Sequence, residues 1–268
     1  MTAGRNAADN ARRRLEERVN YPSLDAKRVF VTGGGSGIGA AIVEAFARQG
    51  ALVAFVDIAD EPSIALVNHL QASGLGRPWH RRCDVSDVSS LQQAIADASA
   101  QLGDFHVLVN NVASDERHAL QQVTPEYWDQ RMAINQRPAF FAIQAVVPGM
   151  QRLGGGSIIN LGSAGWQTKA AGYPAYATAK SSVNGLTRGL ARELGAHRIR
   201  INVASPGWVM TERQLCLLDA ASDADLMRSQ CLPDKVWPDD IAAMVLFLAS
   251  DQARAITAQE FLVDAGWY

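Results

Sequence analysis

Cysteine is scarce in this chain of 268 residues: there are three, Cys83, Cys216 and Cys231. The number is odd and no Cys-x-x-Cys pair occurs, so neither a disulfide framework nor a zinc site is indicated. A reducing cytoplasm is the simplest compartment for such a chain. Long apolar runs are missing too; none approaches the roughly 20 residues of a membrane span. Excess charge of one sign is also absent, with 25 Lys+Arg against 27 Asp+Glu and a net charge of −2. That balance points to neither nucleic acid nor an acidic membrane as partner. His118 has no second His or Cys near it in sequence, so no metal site is expected. No internal repeat is evident. What remains is an ordinary globular composition, 48% hydrophobic and 19% charged, long enough for one large domain with a buried core.

The first 20 residues stand apart. They carry Arg5, Arg12, Arg13, Arg14 and Arg18 with Glu16 and Glu17, and no apolar signal core follows. A flexible polar tail is the expectation for 1–20. A transit peptide fits less well, because acidic residues sit among the arginines.

Residues 27–31 form a short strand that runs into Thr32-Gly33-Gly34-Gly35-Ser36-Gly37-Ile38-Gly39. Ile42, Val43, Phe46 and Ala47 then recur at helical spacing, and Gly50 ends that helix. Strand, glycine turn and helix together are the context a dinucleotide fingerprint requires. The glycines remove side chains where backbone must approach a pyrophosphate. The helix start offers free N–H groups and the positive end of its dipole. A second strand, 52–56, ends at Asp57, eighteen residues past Gly39, where an acid can meet ribose hydroxyls. A carboxylate there repels a 2′-phosphate, and neither Ser36 nor Ile58 is basic. The expected cofactor is therefore NAD; Asp57 as a mere strand cap is the simpler alternative.

Further on, a helix over 62–72 and a strand around 78–83 lead to Asp84-Val85, a pair suited to the adenine amine and face. A helix over 87–102 and the apolar strand 105–109 end in Asn110-Asn111-Val112-Ala113, whose amides can lock neighbouring loops. Thr124-Pro125-Glu126 opens a long helix with a Thr cap and Pro in its first turn. Pro138 inside it predicts a kink that turns Asn135 toward the site. Strands follow at 157–162 and 200–204, and the second runs into Ser205-Pro206-Gly207. Residues 208–237 read as a mobile substrate loop with short helices, before a helix over 238–249 and a last strand over 260–263. This β–α alternation predicts one doubly wound Rossmann-type α/β domain over 21–268, a seven-stranded parallel sheet with helices on both faces.

Between those strands lies Tyr176-Ala177-Thr178-Ala179-Lys180, with Ser163 thirteen residues upstream at a strand end. Positions four apart share a helix face. A phenol is a poor base at neutral pH, and a nearby ammonium is expected to lower its pKa. Ser163 could hold a substrate oxygen against the phenol, giving a proton-transfer site for an alcohol or carbonyl. The spacing alone also fits a half-buried tyrosine with a surface lysine; the glycine turn and Asp57 favour the chemical reading.

In order, Thr32-Gly33-x-x-x-Gly37-x-Gly39, Asp84-Val85, Asn110-Asn111, Asn135, Ser163, Tyr176-x-x-x-Lys180 and Pro206-Gly207 resemble the short-chain dehydrogenase/reductase family. The resemblance implies catalytic roles for Asn135, Ser163, Tyr176 and Lys180, with Asn135 supporting a water chain from Lys180. It implies cofactor contacts at Gly33, Ser36, Gly37, Ile38, Gly39, Asp57, Ile58, Asp84, Val85, Asn111, Val112, Tyr176, Lys180, Pro206, Gly207, Val209 and Thr211. It also implies a homo-oligomer, a tetramer by preference.

Tyr21-Pro22-Ser23-Leu24, Cys83-Asp84, Ser114-Asp115-Glu116-Arg117-His118, Tyr127-Trp128-Asp129, Gln230-Cys231-Leu232 and Asp264-Ala265-Gly266-Trp267 resemble, within that family, the NAD-dependent aldose 1-dehydrogenases. Val112, Ala113 and Ser114 depart from that group's usual pattern. The implied reaction is oxidation of an aldose's anomeric hydroxyl to the lactone. Asp115, Arg117, His118, Ser163, Trp166, Gln167 and Gln230 are the candidate sugar contacts. Two other readings stand beside it: the same fold acting on a polyol, hydroxy acid or 3-oxoacyl substrate, and a non-catalytic NAD-binding protein.

Overall fold

The computed structural model describes residues 19–268. The expected tail therefore lies, but for Val19 and Asn20, outside the described residues.

Seven strands form one wholly parallel sheet: β1 (Arg28–Thr32), β2 (Leu52–Asp57), β3 (Trp79–Arg82), β4 (Val107–Asn110), β5 (Gly156–Leu161), β6 (Ile199–Pro206) and β7 (Glu260–Val263). Their order is β3-β2-β1-β4-β5-β6-β7. The chain first winds outward from β1 and then returns to wind the other way from β4. That reversal opens a crevice at the carboxyl ends of β1 and β4. The seven-stranded, doubly wound sheet expected from the β–α alternation is the one found.

The central strands are apolar on both faces because helices cover both. On one face Val29, Val31, Phe55 and Val109 pack with Ile42, Val43 and Phe46 of α1 (Gly37–Arg48). The same cluster holds Leu70 of α2 (Asp60–Ala72) and Ile241 and Val245 of the late helix Pro238–Ala249. On the other face Phe30, Val56, Leu108 and Ile158 meet Leu91 and Ile95 of α3 (Val88–Leu102). Phe30 and Phe105 meet edge to face in that cluster at 5.2 Å. Burying each such side chain contributes about 1.5–3 kcal/mol against a comparable loss of chain entropy.

The long helix expected from Thr124 is two helices, α4 (Pro125–Asn135) and α5 (Arg137–Arg152). Thr124 caps the first as expected, its hydroxyl accepting from Tyr127 N at 3.2 Å. The predicted kink at Pro138 is instead a full break at Gln136 (φ −127°, ψ −54°). In an unbroken helix Pro138 would clash with the carbonyl of Ile134 and leave it without a donor. Restarting at Arg137 puts the proline in a first turn, where no donor is needed.

After β5 the chain runs through α6 (Pro174–Gly195), the carrier of the Tyr-x-x-x-Lys pair, with Tyr173 as its N-cap. Residues 208–237 contain α7 (Glu212–Leu215) and α8 (Ala220–Ser229), and a bridge pairs Val209 with Val236. The helix Pro238–Ala249, now α9, packs along α1. Among the described residues no helix is long and apolar enough to cross a membrane.

Candidate active site

The carboxyl ends of the strands border one cleft of about 900 Å³. Every residue expected to touch the cofactor lines it, from the 33–39 turn through Asp57, Asp84 and Asn111 to Pro206 and Thr211.

The turn is built on missing side chains. Gly33 has φ +71°, a backbone conformation that disfavours any side chain. A Cβ on Gly39 would run into the Gly33 carbonyl oxygen. Asn111 Nδ2 donates to that same carbonyl at 2.8 Å and to Thr32 O at 3.1 Å, so the β4 loop locks the turn. Asp57 sits opposite. Its Oδ2 accepts from Gly35 N at 2.8 Å and its Oδ1 from Ala59 N at 2.9 Å. The strand-capping role and a place on the cleft therefore coexist in one carboxylate. Asp84 Oδ1 accepts from Ser86 N at 2.9 Å beside buried Val85. These features fit a nicotinamide dinucleotide: a cradle without Cβ atoms, the start of a helix of 12 residues, and a fixed carboxylate one strand away.

At the other end of the cleft lie Ser163, Tyr176 and Lys180. Helix α6 is held to the sheet by a buried amide chain. Asn110 Nδ2 donates to Asn160 Oδ1 at 2.9 Å, and Asn160 Nδ2 to Thr187 Oγ1 at 3.0 Å. Lys180 is buried and its Nζ donates to the Leu161 carbonyl at 2.7 Å. The expectation that Lys180 lowers the phenol pKa does not hold in this geometry. Burial pushes Tyr176 up to about 12, although its hydrogen bond with Ser163 pulls the other way. Burial also pushes Lys180 down to about 8. Both charged forms lose water, and the Leu161 carbonyl, not the phenol, is the lysine's partner.

The substrate-side expectations divide. Asp115, Arg117 and Ser163 line the cleft. His118, Trp166, Gln167 and Gln230 do not. His118 is buried; Ala175 N–H donates to its Nε2 at 3.3 Å, which leaves the proton on Nδ1. That nitrogen lies 2.9 Å from both Glu116 O and the Tyr127 hydroxyl. His118 thus ties the start of α6 to α4. His118→Ala strands the Ala175 N–H and the Tyr127 hydroxyl, and the expected cost is about 2–3 kcal/mol. Thermal unfolding checks it, as a melting temperature lower by roughly 5–10 °C. Gln167 Nε2 donates to Glu260 at 3.3 Å and Gln230 Nε2 to the Asp264 carbonyl at 3.4 Å. Trp166 is half-buried in a short 3₁₀ turn after Ser163. Asn135 is also off the cleft. Its amide exchanges two hydrogen bonds with the Ser114 backbone, at 2.7 and 3.1 Å, and so holds the β4 loop.

Several cleft residues escaped the sequence reading. Asp115 binds Arg213 at 2.6 Å and Gln214 at 3.1 Å, and Trp208 Nε1 donates to Gln214 at 2.9 Å. This clasp joins the β4 loop to α7 across the cleft mouth. Tyr173 lies edge-on to Tyr176 at 5.5 Å, with the Arg117 guanidinium 4.1 Å from its other contact surface, the ring centre. Trp208 and Trp267 follow the carboxyl ends of β6 and β7, so the strand-end rule could have found them; nothing local marks Gln214.

The comparisons agree with this geometry. The family model described as enoyl-(acyl carrier protein) reductase matches residues 33–268. The D-xylose 1-dehydrogenase of Caulobacter vibrioides is 47% identical over 92% of this chain and 98% of its own. A probable galactose dehydrogenase of Rhizobium meliloti is 48% identical over 92% of this chain and 96% of its own. Among solved structures, a blue fluorescent protein from a metagenomic library in complex with NADPH is 39% identical, with a TM-score of 0.85, covering 91% of this chain and 99% of its own. With a glycine turn, a strand-end carboxylate and a Ser-Tyr-Lys set on one parallel sheet, and relatives that match it almost end to end, this chain belongs to the short-chain dehydrogenase/reductase family of oxidoreductases.

Proposed function

We propose that this chain oxidises the anomeric hydroxyl of an aldose to the lactone, with NAD as the preferred coenzyme. The observation that carries the reading is the adjacency of Ser163, Tyr176 and Lys180 to the 33–39 cradle and Asp57 in one cleft. The xylose and galactose dehydrogenase relatives support an aldose as substrate. A nicotinamide dinucleotide supplies the hydride acceptor when bound. Ser163 holds the reacting oxygen, and Tyr176 takes the hydroxyl proton. The phenolate form of Tyr176 is the base, and taking the proton leaves it as the neutral phenol, while Lys180, held on the Leu161 carbonyl, stays at the same end of the cleft. Holding the hydroxyl within reach of the phenol is the larger part of the rate gain. Asp115 and Arg117 meet the remaining sugar hydroxyls, and Trp208 and Trp267 supply apolar walls. Asn135 acts through the Ser114 backbone, which shapes the loop over the site. Self-association is part of this reading, supported by the family and by exposed Trp128 and Phe140 on α4 and α5.

An aldose panel assayed with NAD and NADP at the nicotinamide absorbance tests it, with lactone identified as product. Activity on a pentose or hexose with NAD ahead of NADP is expected. Activity only on a polyol, hydroxy acid or 3-oxoacyl compound would overturn the substrate class.

A further inference from the structure

Arg82 ends β3 beside Asp57, which ends β2. The two are register partners in the parallel ladder, so their side chains leave the same face of the sheet. Two further observations fix that face. Two residues earlier His80 pairs with Phe55, and their rings lie 4.9 Å apart on it. Arg81 leaves the opposite face and pairs with Asp97 of α3.

Asp57 does not pair with Arg82. Both its oxygens are taken by the backbone amides of Gly35 and Ala59. The guanidinium instead leans over the next turn, where Nε donates to the Ile58 carbonyl at 3.2 Å. Ile58 is exposed on the rim of the cleft. Among the described residues neither Nη group of Arg82 has a hydrogen-bond or ion-pair partner. Acidic residues flank this corner along the chain: Asp60 and Glu61 in the first turn of α2, and Asp84 two residues after Arg82. A cation with two free N–H edges therefore stands next to the carboxylate that faces the ribose position. Ser36 and Ile58 bring no cation to this corner; Arg82 arrives from the neighbouring strand.

We propose that Arg82 forms a 2′-phosphate subsite, so that the chain binds the 2′-phosphorylated dinucleotide as a second, weaker coenzyme. The inference rests on the dinucleotide reading given above. A guanidinium fork matches two phosphate oxygens at once. Asp57 opposes the phosphate and favours the free ribose hydroxyls, so the unphosphorylated nucleotide binds more tightly. The two side chains set the preference jointly.

Calorimetric titration of the full chain with ADP-ribose and with its 2′-phosphate tests this without any turnover. Wild-type protein is expected to bind both, ADP-ribose more tightly. Arg82→Gln is expected to weaken the 2′-phosphate about tenfold and to leave ADP-ribose within about twofold. The retained ADP-ribose affinity reports that the variant is folded. Arg82→Lys keeps the charge without the fork and should fall between the two. Added salt should weaken the phosphorylated probe more than ADP-ribose. An unchanged affinity ratio in Arg82→Gln overturns the subsite, as does wild-type protein that binds ADP-ribose alone. If neither probe binds, the dinucleotide reading falls and the subsite falls with it.

Discussion

Tyr176→Phe is expected to leave ADP-ribose binding intact while lowering kcat for sugar oxidation by on the order of 10³-fold. The substitution removes one hydroxyl and keeps the ring, so the edge-on packing against Tyr173 at 5.5 Å survives. The lost atom is the one that exchanges a proton with substrate in the proposed reaction. Its neighbours cannot replace it. Ser163 carries an unactivated hydroxyl, and the Lys180 ammonium has no lone pair to accept a proton and is engaged with the Leu161 carbonyl.

The directions of the two pKa shifts add a signature. Burial holds the Tyr176 phenol near 12, so it is protonated at neutral pH. A protonated phenol is ready to donate and must first lose its proton to accept one. Oxidation by the wild type should therefore speed up as pH rises, while reduction of the lactone should slow. Lys180, held near 8, loses its charge within the same climb. The residual rate of Tyr176→Phe should lack this pH dependence. Stopped-flow measurement of nicotinamide absorbance across pH checks both. Turnover within tenfold of wild type would remove the phenol from the mechanism.

Gly39→Ala is the second large effect, and it acts on binding and stability together. The added Cβ would overlap the Gly33 carbonyl and come within 2.7 Å of Asn111 Nδ2. Backbone meets backbone here, so no flexible side-chain end can move aside. The turn must open, which breaks the bonds from Asn111 to Gly33 and Thr32. Two lost hydrogen bonds of about 1 kcal/mol each, with overpacking of about 1–3 kcal/mol, give roughly 3–5 kcal/mol of destabilisation. The same opening displaces the amides that face the pyrophosphate, so ADP-ribose affinity should drop about 100-fold or more, an expectation based on the cost of misplaced charge-assisted donors. Gly185→Ala is the matched control. It lies on α6 with nothing within 4 Å of a new Cβ. It should stabilise the fold by about 0.5–1 kcal/mol through helix propensity. Denaturant melts and titration calorimetry separate the two variants; equal effects would show that the overlap at Gly39 is relieved some other way.

What could be read from the chain and what could not divide along one physical line. Features carried by local period and local backbone were legible. Val29 to Val31 read as part of a strand, and Ile42, Val43 and Phe46 as a helix face. The 33–39 glycines marked a turn, and Thr124 with Pro125 a helix start. Each was found where expected, because a few neighbouring residues decide it. Together they determined the doubly wound sheet and, through the strand-end rule, the cleft that Asp57, Ser163, Tyr176 and Lys180 share.

The tertiary structure alone decided what depends on partners distant in the chain. His118, Gln167 and Gln230 look like surface sugar ligands in sequence, yet they turn inward to Ala175, Glu260 and Asp264. Gln214 reaches the cleft because Asp115, 99 residues earlier, draws it there. Arg82 stands beside Asp57 through strand register, which no motif spacing encodes. The direction of the Tyr176 shift followed the same rule. The Tyr-x-x-x-Lys spacing correctly put phenol and ammonium in one cleft, but desolvation is a sum over everything packed around them. That sum exists only once the whole sheet and its helices are in place.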